Sequence, residues 1–301
     1  MPQVYISILN FNGKDNTIDC LKSLDKALRE NFDLKVLVID NASSEKLELP
    51  SLSNLNVQLI ENKENLGFSG GHNVGIKFAL DNGADFIIIL NNDTVVDKKL
   101  ISELVKASKD DIGIVVPKIY FYPGFEFHKG RYKKEEEGKV FWYAGGIMDF
   151  RNVIGHHRGV DEVDHGQYDT VESTDFASGC CILVRREVFE KVGVFDDRYF
   201  LYYEDNDLSQ RAGRSNFKII YNPKAILWHK NAGSVGGSGS SLQDYYITRN
   251  RMLFGMKHAP LRSKVSLIRE SLSLMFGGRP WQKKGILDFY LGKFGKGSYK
   301  A

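Results

Sequence analysis

The segment FIIILNNDT, residues 86–94, is an apolar run that ends in two amides and one carboxylate. A strand of a parallel sheet reads as a continuous apolar run, because helices cover both of its faces. In an open α/β sheet the ligand binds just beyond the carboxyl ends of such strands. Asp93 is therefore placed to hold a divalent cation or a polar ligand. The alternative is that residues 91–93 form an Asx-type turn before the next helix.

Apolar runs of the same kind alternate with amphipathic stretches through the first half of the chain. Strands are predicted at residues 4–9, 34–39, 57–60, 86–90 and 112–116. Helices are predicted at residues 16–29, 69–80 and 98–107. This alternation predicts βαβ units and hence an α/β fold with a mostly parallel sheet.

A segment rich in aromatic residues, glycine and histidine interrupts the alternation at residues 120–174. We expect loops and short antiparallel strands there, covering the ligand-binding end of the sheet. Further strands are predicted at residues 181–184, 218–221 and 225–228, and further helices from residue 186, at 204–214 and at 242–258. The run GSVGGSGSS, residues 233–241, predicts a flexible loop or lid.

The composition is typical of a soluble globular protein, with 301 residues of which 42% are hydrophobic and 26% charged. We expect neither a signal peptide nor a membrane span, since no apolar run approaches about 20 residues. The three cysteines, Cys20, Cys180 and Cys181, lack the spacing of a zinc site. Their odd number indicates a reducing cytoplasm rather than a disulfide framework.

The net charge of +3 hides an asymmetry along the chain. Residues 257–300 carry ten basic and two acidic side chains, whereas the rest of the chain carries 31 basic and 36 acidic ones. A basic tail on a mildly acidic body indicates an anionic partner such as a membrane surface. Its mixture of apolar and basic residues is typical of an interfacial helix, with a dimerisation helix as the alternative. The acidic body disfavours nucleic acid as a partner, because that would require a basic groove.

Two further acidic positions follow apolar runs. Asp40 ends the second predicted strand, where it can bind a base or ribose, or cap the following turn. Glu204, Asp205 and Asp207 follow the aromatic run RYFLYY, residues 198–203. Carboxylates beside an apolar wall have raised pKa values and act as effective general bases. The alternative is that these acids only favour the start of a helix through its macrodipole.

Three other features leave a functional and a structural interpretation open. The glycines of residues 64–80 do not match the spacing of dinucleotide-binding or P-loop motifs. They serve either a phosphate or sugar site at a helix N-terminus or close helix–sheet packing. His229 can bind a metal or phosphate, or be an ordinary polar residue. Arg249 and Arg251 can bind phosphate or face solvent.

Five motifs occur in a characteristic order. They are DNAS (40–43), NLGFSGGHNVGI (65–76), LNNDT (90–94), FASGCCILVRREVFEKVGVFDDRYFLYYEDNDL (176–208) and WHKNAGS (228–234). In this order they resemble family 2 inverting glycosyltransferases of the GT-A fold, and most closely the bacterial rhamnosyltransferase-like branch, over residues 3–255. The resemblance implies a Rossmann-like sheet with a small antiparallel acceptor-side portion and a helical C-terminal tail. It divides the chain into a nucleotide-sugar-binding half (1–118), an acceptor-side half with the catalytic base (119–256) and the tail (257–301).

On the donor side, the resemblance implies that Asp40 contacts the nucleotide base and that Asp93 stands in the place of the family's DxD metal motif. The implied donor-binding residues are Asn10, Asp40, Gly70, Asn92, Asp93, Arg249 and Asn250, and the implied metal ligands are Asp93 and His229. The first acid of the motif is an amide here. Mg²⁺ or Mn²⁺ would therefore need water and the diphosphate to complete its set of ligands.

On the acceptor side, the resemblance implies Asp205 as the catalytic base, supported by Glu204. Gly179 lies in the turn that would shape the acceptor site. Trp142 belongs to an aromatic group that can stack on a sugar face, or form an apolar cluster under a long loop. The expected acceptor contacts are Trp142, Gly179 and Tyr203.

The implied function is transfer of a sugar, with rhamnose favoured, from dTDP-rhamnose or a UDP-sugar to a saccharide or lipid-linked saccharide in cell-surface polysaccharide synthesis. We expect the enzyme in the cytoplasm or at the inner face of the cell membrane, with a homodimer as the candidate assembly. One alternative is a non-catalytic nucleotide- or carbohydrate-binding module, against which the presence of both Asp93 and Asp205 argues. The other is a nucleotidyltransferase, which would need a basic, glycine-rich loop after the first strand, where only Lys14 is present.

Overall fold

A computed structural model describes residues 1–109, 111–128, 130–231 and 239–300. Its strands are β1 Gln3–Asn10, β2 Asp33–Asp40, β3 Asn56–Glu61, β4 Phe86–Asn91, β5 Thr94–Val96, β6 Ile112–Phe121, β7 Phe141–Tyr143, β8 Gly146–Asp149, β9 Ile154–His157, β10 Glu172–Ser173, β11 Cys181–Arg185 and β12 Lys218–His229. Its helices are α1 Lys14–Leu24, α2 Gly67–Asp81, α3 Leu100–Ala107, α4 Arg186–Val192, α5 Glu204–Arg214, α6 Ser241–His258, α7 Leu261–Gly277 and α8 Pro280–Tyr290. Most of the loop predicted at 233–241, namely residues 233–238, lies outside the described residues.

The central sheet runs in the order β10-β12-β6-β11-β4-β1-β2-β3, with β5 and β7 paired off this path. Strands β4, β1, β2 and β3 are parallel to one another, and β12 is parallel to β6. Between these two groups, β11 runs antiparallel to both β4 and β6. Residues 87–90 of β4 have no exposed surface, as expected for a strand covered on both faces. The prediction of a mostly parallel sheet flanked by helices is confirmed.

The described residues between 122 and 174 contain short antiparallel strands joined by loops, as predicted for residues 120–174. β7 pairs with β6, β10 pairs with β12, and β8 and β9 form a separate two-stranded sheet. A polar cluster fixes this segment to the main sheet. Lys118 of β6 is buried, and its Nζ donates to Asp164 (2.7 Å) and Asp169 (2.5 Å).

Several elements differ from the sequence prediction, and β6 runs to Phe121 instead of residue 116. α1 ends at Leu24 instead of residue 29, because the chain turns there and the Leu28 N–H donates to the Lys98 carbonyl. The two strands predicted between 218 and 228 are one strand, β12, with irregular pairing between Asn222 and Ile226. Strand β5 is absent from the prediction, since three residues carry too little periodicity to be recognised.

Glycines of α2 allow this helix to approach the sheet closely. A Cβ on Gly71 would overlap the side chain of Leu9, and a Cβ on Gly75 would lie 2.5 Å from Ser7 Oγ. Both Leu9 and Ser7 belong to β1. The glycine-rich stretch therefore serves helix–sheet packing, which is one of the two interpretations left open by its sequence.

Helices α6, α7 and α8 form the C-terminal portion. α8 packs closely on α6, since a Cβ on Gly285 would lie 2.6 Å from the Tyr245 carbonyl oxygen. The chain after α8 folds back over α6, where the Tyr246 hydroxyl donates to the Lys296 carbonyl (2.9 Å). Within the described ranges, no helix is long and apolar enough to cross a membrane.

Replacing Gly75 by alanine tests the packing of α2. We expect Gly75→Ala to lower the free energy of unfolding by about 1–3 kcal/mol, because the added methyl group overpacks against Ser7. Gly213→Ala in α5 is the control, since a Cβ there would meet nothing within 4 Å. Urea unfolding measures both variants, and the packing role is wrong if the two are equally stable.

Candidate active site

Hydrogen bonds join the carboxyl ends of β1, β2 and β4. Asn10 Nδ2 donates to Asp40 Oδ1 (2.6 Å), and the Ser43 N–H donates to Asp40 Oδ2 (3.0 Å). The Thr17 hydroxyl donates to Asn10 Oδ1 (2.9 Å), and Asn92 Nδ2 donates in turn to the Thr17 oxygen (2.9 Å). The structure thus brings Asn10, Asp40 and Asn92 to one edge of the sheet. Thr17 and Ser43 were missed by the sequence prediction, because isolated hydroxyl residues carry no local signal.

Asp93 lies beside His229 because of strand β5. Thr94 pairs with His229 in the β5–β12 ladder, and the Lys230 N–H donates to the Asp93 carbonyl (2.8 Å). Both Asp93 and His229 are buried, with His229 Nε2 at 3.1 Å from Asp93 Oδ1. The Trp142 ring packs edge-on against the His229 ring, with 4.6 Å between centroids. Three of the predicted site residues, from separate parts of the chain, therefore meet here.

Asp93 and His229 fit part of a cation site. Two donors on adjacent corners of an octahedron, each about 2.1 Å from the ion, lie about 3.0 Å apart. The observed separation of 3.1 Å, at which the two side chains are hydrogen-bonded to each other, is close to that value. No group of three or more His, Cys, Asp or Glu side chains that could hold a metal is present in the part of the chain that the structure describes. Among the described residues, Asp93 and His229 are therefore the pair that could hold a cation, which would take its other ligands from water and a bound diphosphate.

Asp205 is held at the same edge of the sheet by the turn before β11. The Gly179 N–H donates to Asp205 Oδ2 (2.8 Å), and the Asn206 N–H donates to Asp205 Oδ1 (2.7 Å). The next residue after Gly179 is tied to β4, since the Cys180 carbonyl accepts a hydrogen bond from the Asn91 N–H (2.9 Å). The turn therefore connects the predicted base to the end of β4.

The two acids that begin α5 have different environments. Burial raises the pKa of Asp205, and the hydrogen bonds from Gly179 and Asn206 oppose that rise. Glu204 is buried, and its Oε2 has no hydrogen-bond partner among the described residues. Burial first, and then the charge of Asp205, raise the pKa of Glu204 well above its usual range. Glu204 therefore tends to remain protonated, which spares Asp205 the repulsion of a second negative charge.

The turn before α5 has an unusual backbone. Phe200, Tyr202 and Tyr203 adopt left-handed conformations with φ of 66°, 70° and 73°. Backbone of this kind is unfavourable for residues with a side chain and concentrates at functional sites. The Tyr203 hydroxyl donates to the Val153 carbonyl (3.0 Å). The side chain predicted to contact the acceptor is thus fixed against the loop between β8 and β9.

Asn250 of α6 holds this turn through its side-chain amide. Its Nδ2 donates to the carbonyls of Tyr199 (2.8 Å), Leu201 (2.7 Å) and Tyr202 (2.9 Å). The side chain is fully buried. The amide is bound to backbone carbonyls and positions the turn. The donor contact that the resemblance implied for Asn250 stays a prediction.

Arg249 is likewise bound to backbone carbonyls. It has no exposed surface, and its Nη2 donates to the carbonyls of Arg198 (3.2 Å) and Tyr199 (3.0 Å). Its Nη1 donates to the Gly295 carbonyl (2.8 Å) in the segment after α8. Arg249 therefore links the turn before α5 to the C-terminal segment. The donor contact that the resemblance implied for Arg249 stays a prediction.

The N-terminus of α2 is occupied by the same turn. The Phe200 carbonyl accepts hydrogen bonds from the N–H groups of Phe68 (2.6 Å) and Ser69 (3.2 Å). These amides are therefore not available to a phosphate. Gly70 packs against Leu66, since a Cβ on Gly70 would lie 2.9 Å from Leu66 Cβ. The donor contact expected at Gly70 stays a prediction.

Asp207, the third acid of the cluster, belongs to a buried ion network. Its carboxylate lies 2.7 Å from Arg211, 2.6 Å from Lys257 and 2.7 Å from His258. Burial disfavours the charged form, yet these three partners hold the pKa of Asp207 well below its usual range. Asp207 therefore fixes α5 to the end of α6, a structural role that the sequence did not predict.

Solved structures share this fold, and two of them illustrate the likeness. One is GalNAc-T7 with UDP, GalNAc and Mn²⁺, at a TM-score of 0.60 and 16% identity, over 93% of this chain and 58% of that one. The other is the mannosyltransferase PcManGT from Pyrobaculum calidifontis in complex with GDP-Man and Mn²⁺, at a TM-score of 0.54 and 15% identity, over 97% of this chain and 74% of that one. At these identities the likeness establishes the fold alone, which is the GT-A fold of glycosyltransferases.

Residues 5–193 match the family described as Glycosyl transferase family 2, and the chain belongs to this family. The resemblance found in the sequence is confirmed.

A relative in Haloferax volcanii, the low-salt glycan biosynthesis hexosyltransferase Agl10, is 28% identical over 72% of this chain, which spans 66% of that protein's length. The dTDP-rhamnosyl transferase RfbF of Shigella flexneri is 25% identical over 99% of both chains. The N-acetylglucosaminyl-diphospho-decaprenol L-rhamnosyltransferase of Mycobacterium tuberculosis is 47% identical over 64 residues, 21% of each chain.

The environment of Glu204 predicts a pH-dependent stability difference. A group whose pKa is higher in the folded than in the unfolded state stabilises the fold fully at a pH below its unfolded pKa. This stabilisation is lost as the pH rises through the pKa of the folded state. Glutamine has no proton to lose, so Glu204→Gln should gain stability over the wild type as the pH rises. Urea unfolding between about pH 5 and about pH 9 measures the difference. Glu64→Gln, at an exposed position, is the control, and a pH profile of Glu204→Gln parallel to the wild type would contradict the buried proton.

Proposed function

We propose that the protein is an inverting glycosyltransferase that moves a sugar from a nucleotide-diphospho-sugar to an acceptor hydroxyl. The observation that carries this proposal is the position of Asp205, which Gly179 holds at the sheet edge where Asp93 meets His229. A base and a diphosphate-binding pair at one edge provide the two functions that direct displacement at an anomeric carbon needs. Holding both reactants in this arrangement lowers the entropic part of the barrier.

In this proposal the donor lies along the carboxyl ends of β1, β2 and β4. Asp40 accepts a hydrogen bond from the nucleotide base, and Asn10 keeps the Asp40 carboxylate in place. Asp93 and His229 lie beside the diphosphate of the donor. A divalent cation held there would neutralise charge on the departing diphosphate. The GalNAc-T7 and PcManGT structures contain UDP or GDP-Man together with Mn²⁺, which supports a nucleotide-sugar donor and a cation of this kind.

Asp205 acts as the general base. It accepts the proton of the acceptor hydroxyl while the hydroxyl oxygen forms a bond to the anomeric carbon. The bond between that carbon and the diphosphate oxygen breaks in the same displacement, and the diphosphate leaves with the electron pair. Attack from the face opposite the leaving group inverts the configuration. The raised pKa of Asp205 makes it a stronger base than an ordinary carboxylate.

The acceptor is proposed to lie between Asp205 and the antiparallel segment. Trp142 packs against His229 and is half-buried, and we propose that its ring stacks on a sugar of the acceptor. Gly179 leaves room beside Asp205, because any side chain there would approach the Phe68 ring. Tyr203, whose hydroxyl is fixed by its bond to Val153, is the third acceptor contact we propose.

Rhamnose is the sugar we favour. The Shigella relative that spans 99% of this chain is named a dTDP-rhamnosyl transferase, and the mycobacterial relative is an L-rhamnosyltransferase. A UDP-hexose is the second candidate, because the Haloferax relative is a hexosyltransferase. We place the reaction in cell-surface polysaccharide synthesis at the cytoplasmic face of the membrane. A saccharide or lipid-linked saccharide is the proposed acceptor, since the mycobacterial enzyme's name includes a diphospho-decaprenol.

Substituting the base separates chemistry from binding. We expect Asp205→Asn to lower turnover by about 100- to 10,000-fold, because the amide retains the hydrogen bond to Gly179 but accepts no proton. Binding of dTDP or UDP should stay near that of the wild type. Transfer is measured with radiolabelled donor and a polyprenyl-diphosphate-linked N-acetylglucosamine acceptor. Asp81→Asn, at the exposed end of α2, is the matched control, and unchanged turnover in Asp205→Asn would rule out its role as the base.

Substituting Asp93 tests the diphosphate site. A ligand at about 100 times its dissociation constant stabilises the folded state by about 2.7 kcal/mol. We expect the wild type and Asp205→Asn to show a Mn²⁺-dependent rise in melting temperature with dTDP or UDP, and Asp93→Asn to lose that rise. A thermal-shift series with and without Mn²⁺ measures it, with Asp81→Asn again as control. An undiminished rise in Asp93→Asn would place the diphosphate elsewhere.

A further inference from the structure

Helix α7 presents an exposed apolar stripe. It consists of Leu261, Val265, Ile268, Leu272 and Phe276, all exposed, with Leu261 at 77% and Phe276 at 86%. At 3.6 residues per turn these positions fall within about 80° of the helix circumference. Single exposed apolar residues are common on protein surfaces, whereas a continuous stripe marks an interaction site.

The opposite face of α7 is fixed to α6. Leu267 is buried and lies so close to Gly255 that a Cβ on this glycine would overlap it. Arg251 of α6 binds Glu270 of α7 through two hydrogen bonds of 2.6 Å and 2.9 Å. The stripe is therefore held outward on an anchored helix, and packing against α6 uses other residues of α7.

Basic side chains border the stripe. At 100° per residue, Arg262 and Arg269 fall on one side of it and Lys264 on the other. Arg262 and Arg269 are exposed, and Lys264 is partly exposed. Glu270 is the one acid in the sequence of α7, and it is paired with Arg251. The outward face of α7 thus combines apolar side chains with positive charge.

This combination favours a lipid surface over a second copy of the chain. A twofold interface brings the same patch of both subunits together. Two α7 helices paired by their stripes would place Arg262 and Arg269 close to the same cations of the partner, and like charges repel. An anionic bilayer offers an acyl boundary to the stripe and phosphate groups to the basic side chains.

We infer that α7 is an interfacial helix that docks the protein on an anionic lipid surface. The stripe enters the boundary between headgroups and acyl chains, while Arg262, Lys264 and Arg269 contact lipid phosphates. Because α7 is fixed to α6, the bound protein has a defined orientation on the surface. The inference concerns a surface outside the candidate active site, and it holds or fails independently of the proposed reaction.

Vesicle flotation of the full chain tests this surface without donor or acceptor. Vesicles of phosphatidylglycerol and phosphatidylcholine in equal amounts should carry the protein upward in a sucrose gradient, and vesicles of phosphatidylcholine alone should carry much less. Leu272→Ser/Phe276→Ser should weaken binding at least about tenfold, since apolar burial is lost. Arg262→Gln/Arg269→Gln should weaken it about 30-fold, and added salt should reduce this difference.

Matched controls come from exposed residues outside α7. Phe127→Ser/Val171→Ser removes two exposed apolar side chains elsewhere. Lys22→Gln/Lys26→Gln removes two exposed positive charges of α1 and the turn after it. Both controls should float like the wild type, and an unchanged melting temperature shows that each variant is folded.

Three results would overturn the inference. They are no flotation of the wild type with anionic vesicles, wild-type flotation of Leu272→Ser/Phe276→Ser, and equal losses in the controls and the α7 variants. Analytical ultracentrifugation tests the alternative that a second copy of the chain covers the stripe. A dimer that dissociates in Leu272→Ser/Phe276→Ser, without vesicle binding of the wild type, would assign the stripe to a subunit interface.

Discussion

Two adjacent buried side chains of α6, Arg249 and Asn250, hold a backbone turn that is unfavourable by itself. Three residues of the turn 198–203 are left-handed, at a cost of about 1–2 kcal/mol each, and hydrogen bonds to its carbonyls offset that cost. The same turn leads into α5 at the proposed base. It also closes the N-terminus of α2 through the Phe200 carbonyl. The positions of α2, α5 and the segment after α8 therefore all depend on this turn.

The candidate active site also depends on β11, which is antiparallel to both of its neighbouring strands. Because β11 is antiparallel to β4, its beginning lies where β4 ends. The turn before β11 carries Gly179, whose N–H donates to Asp205. The end of β4 leads directly to Asp93. Groups proposed for the acceptor and groups proposed for the donor therefore reach a common edge without a long connecting loop.

The sequence predicted well the features that have a local signature. Buried strands produce continuous apolar runs, so the central sheet was predictable, and β5 was not, since it has only three residues. Arg249 shows the same limit for a side chain. An arginine on a helix has the same sequence pattern whether it binds a phosphate or a carbonyl. Its partner at Tyr199 lies 50 positions away, and only the folded chain brings that carbonyl to it.

The sequence by itself determined the α/β fold, the family, and the acids and histidine available for chemistry. Only the tertiary structure decided which of them meet. His229 reaches Asp93 across 136 positions because β5 pairs with the end of β12, whereas Asp207 is drawn into an ion network with α6. The physical reason is that periodicity and residue type are local properties of a chain. Hydrogen-bond partners and burial depend on which distant segments pack together.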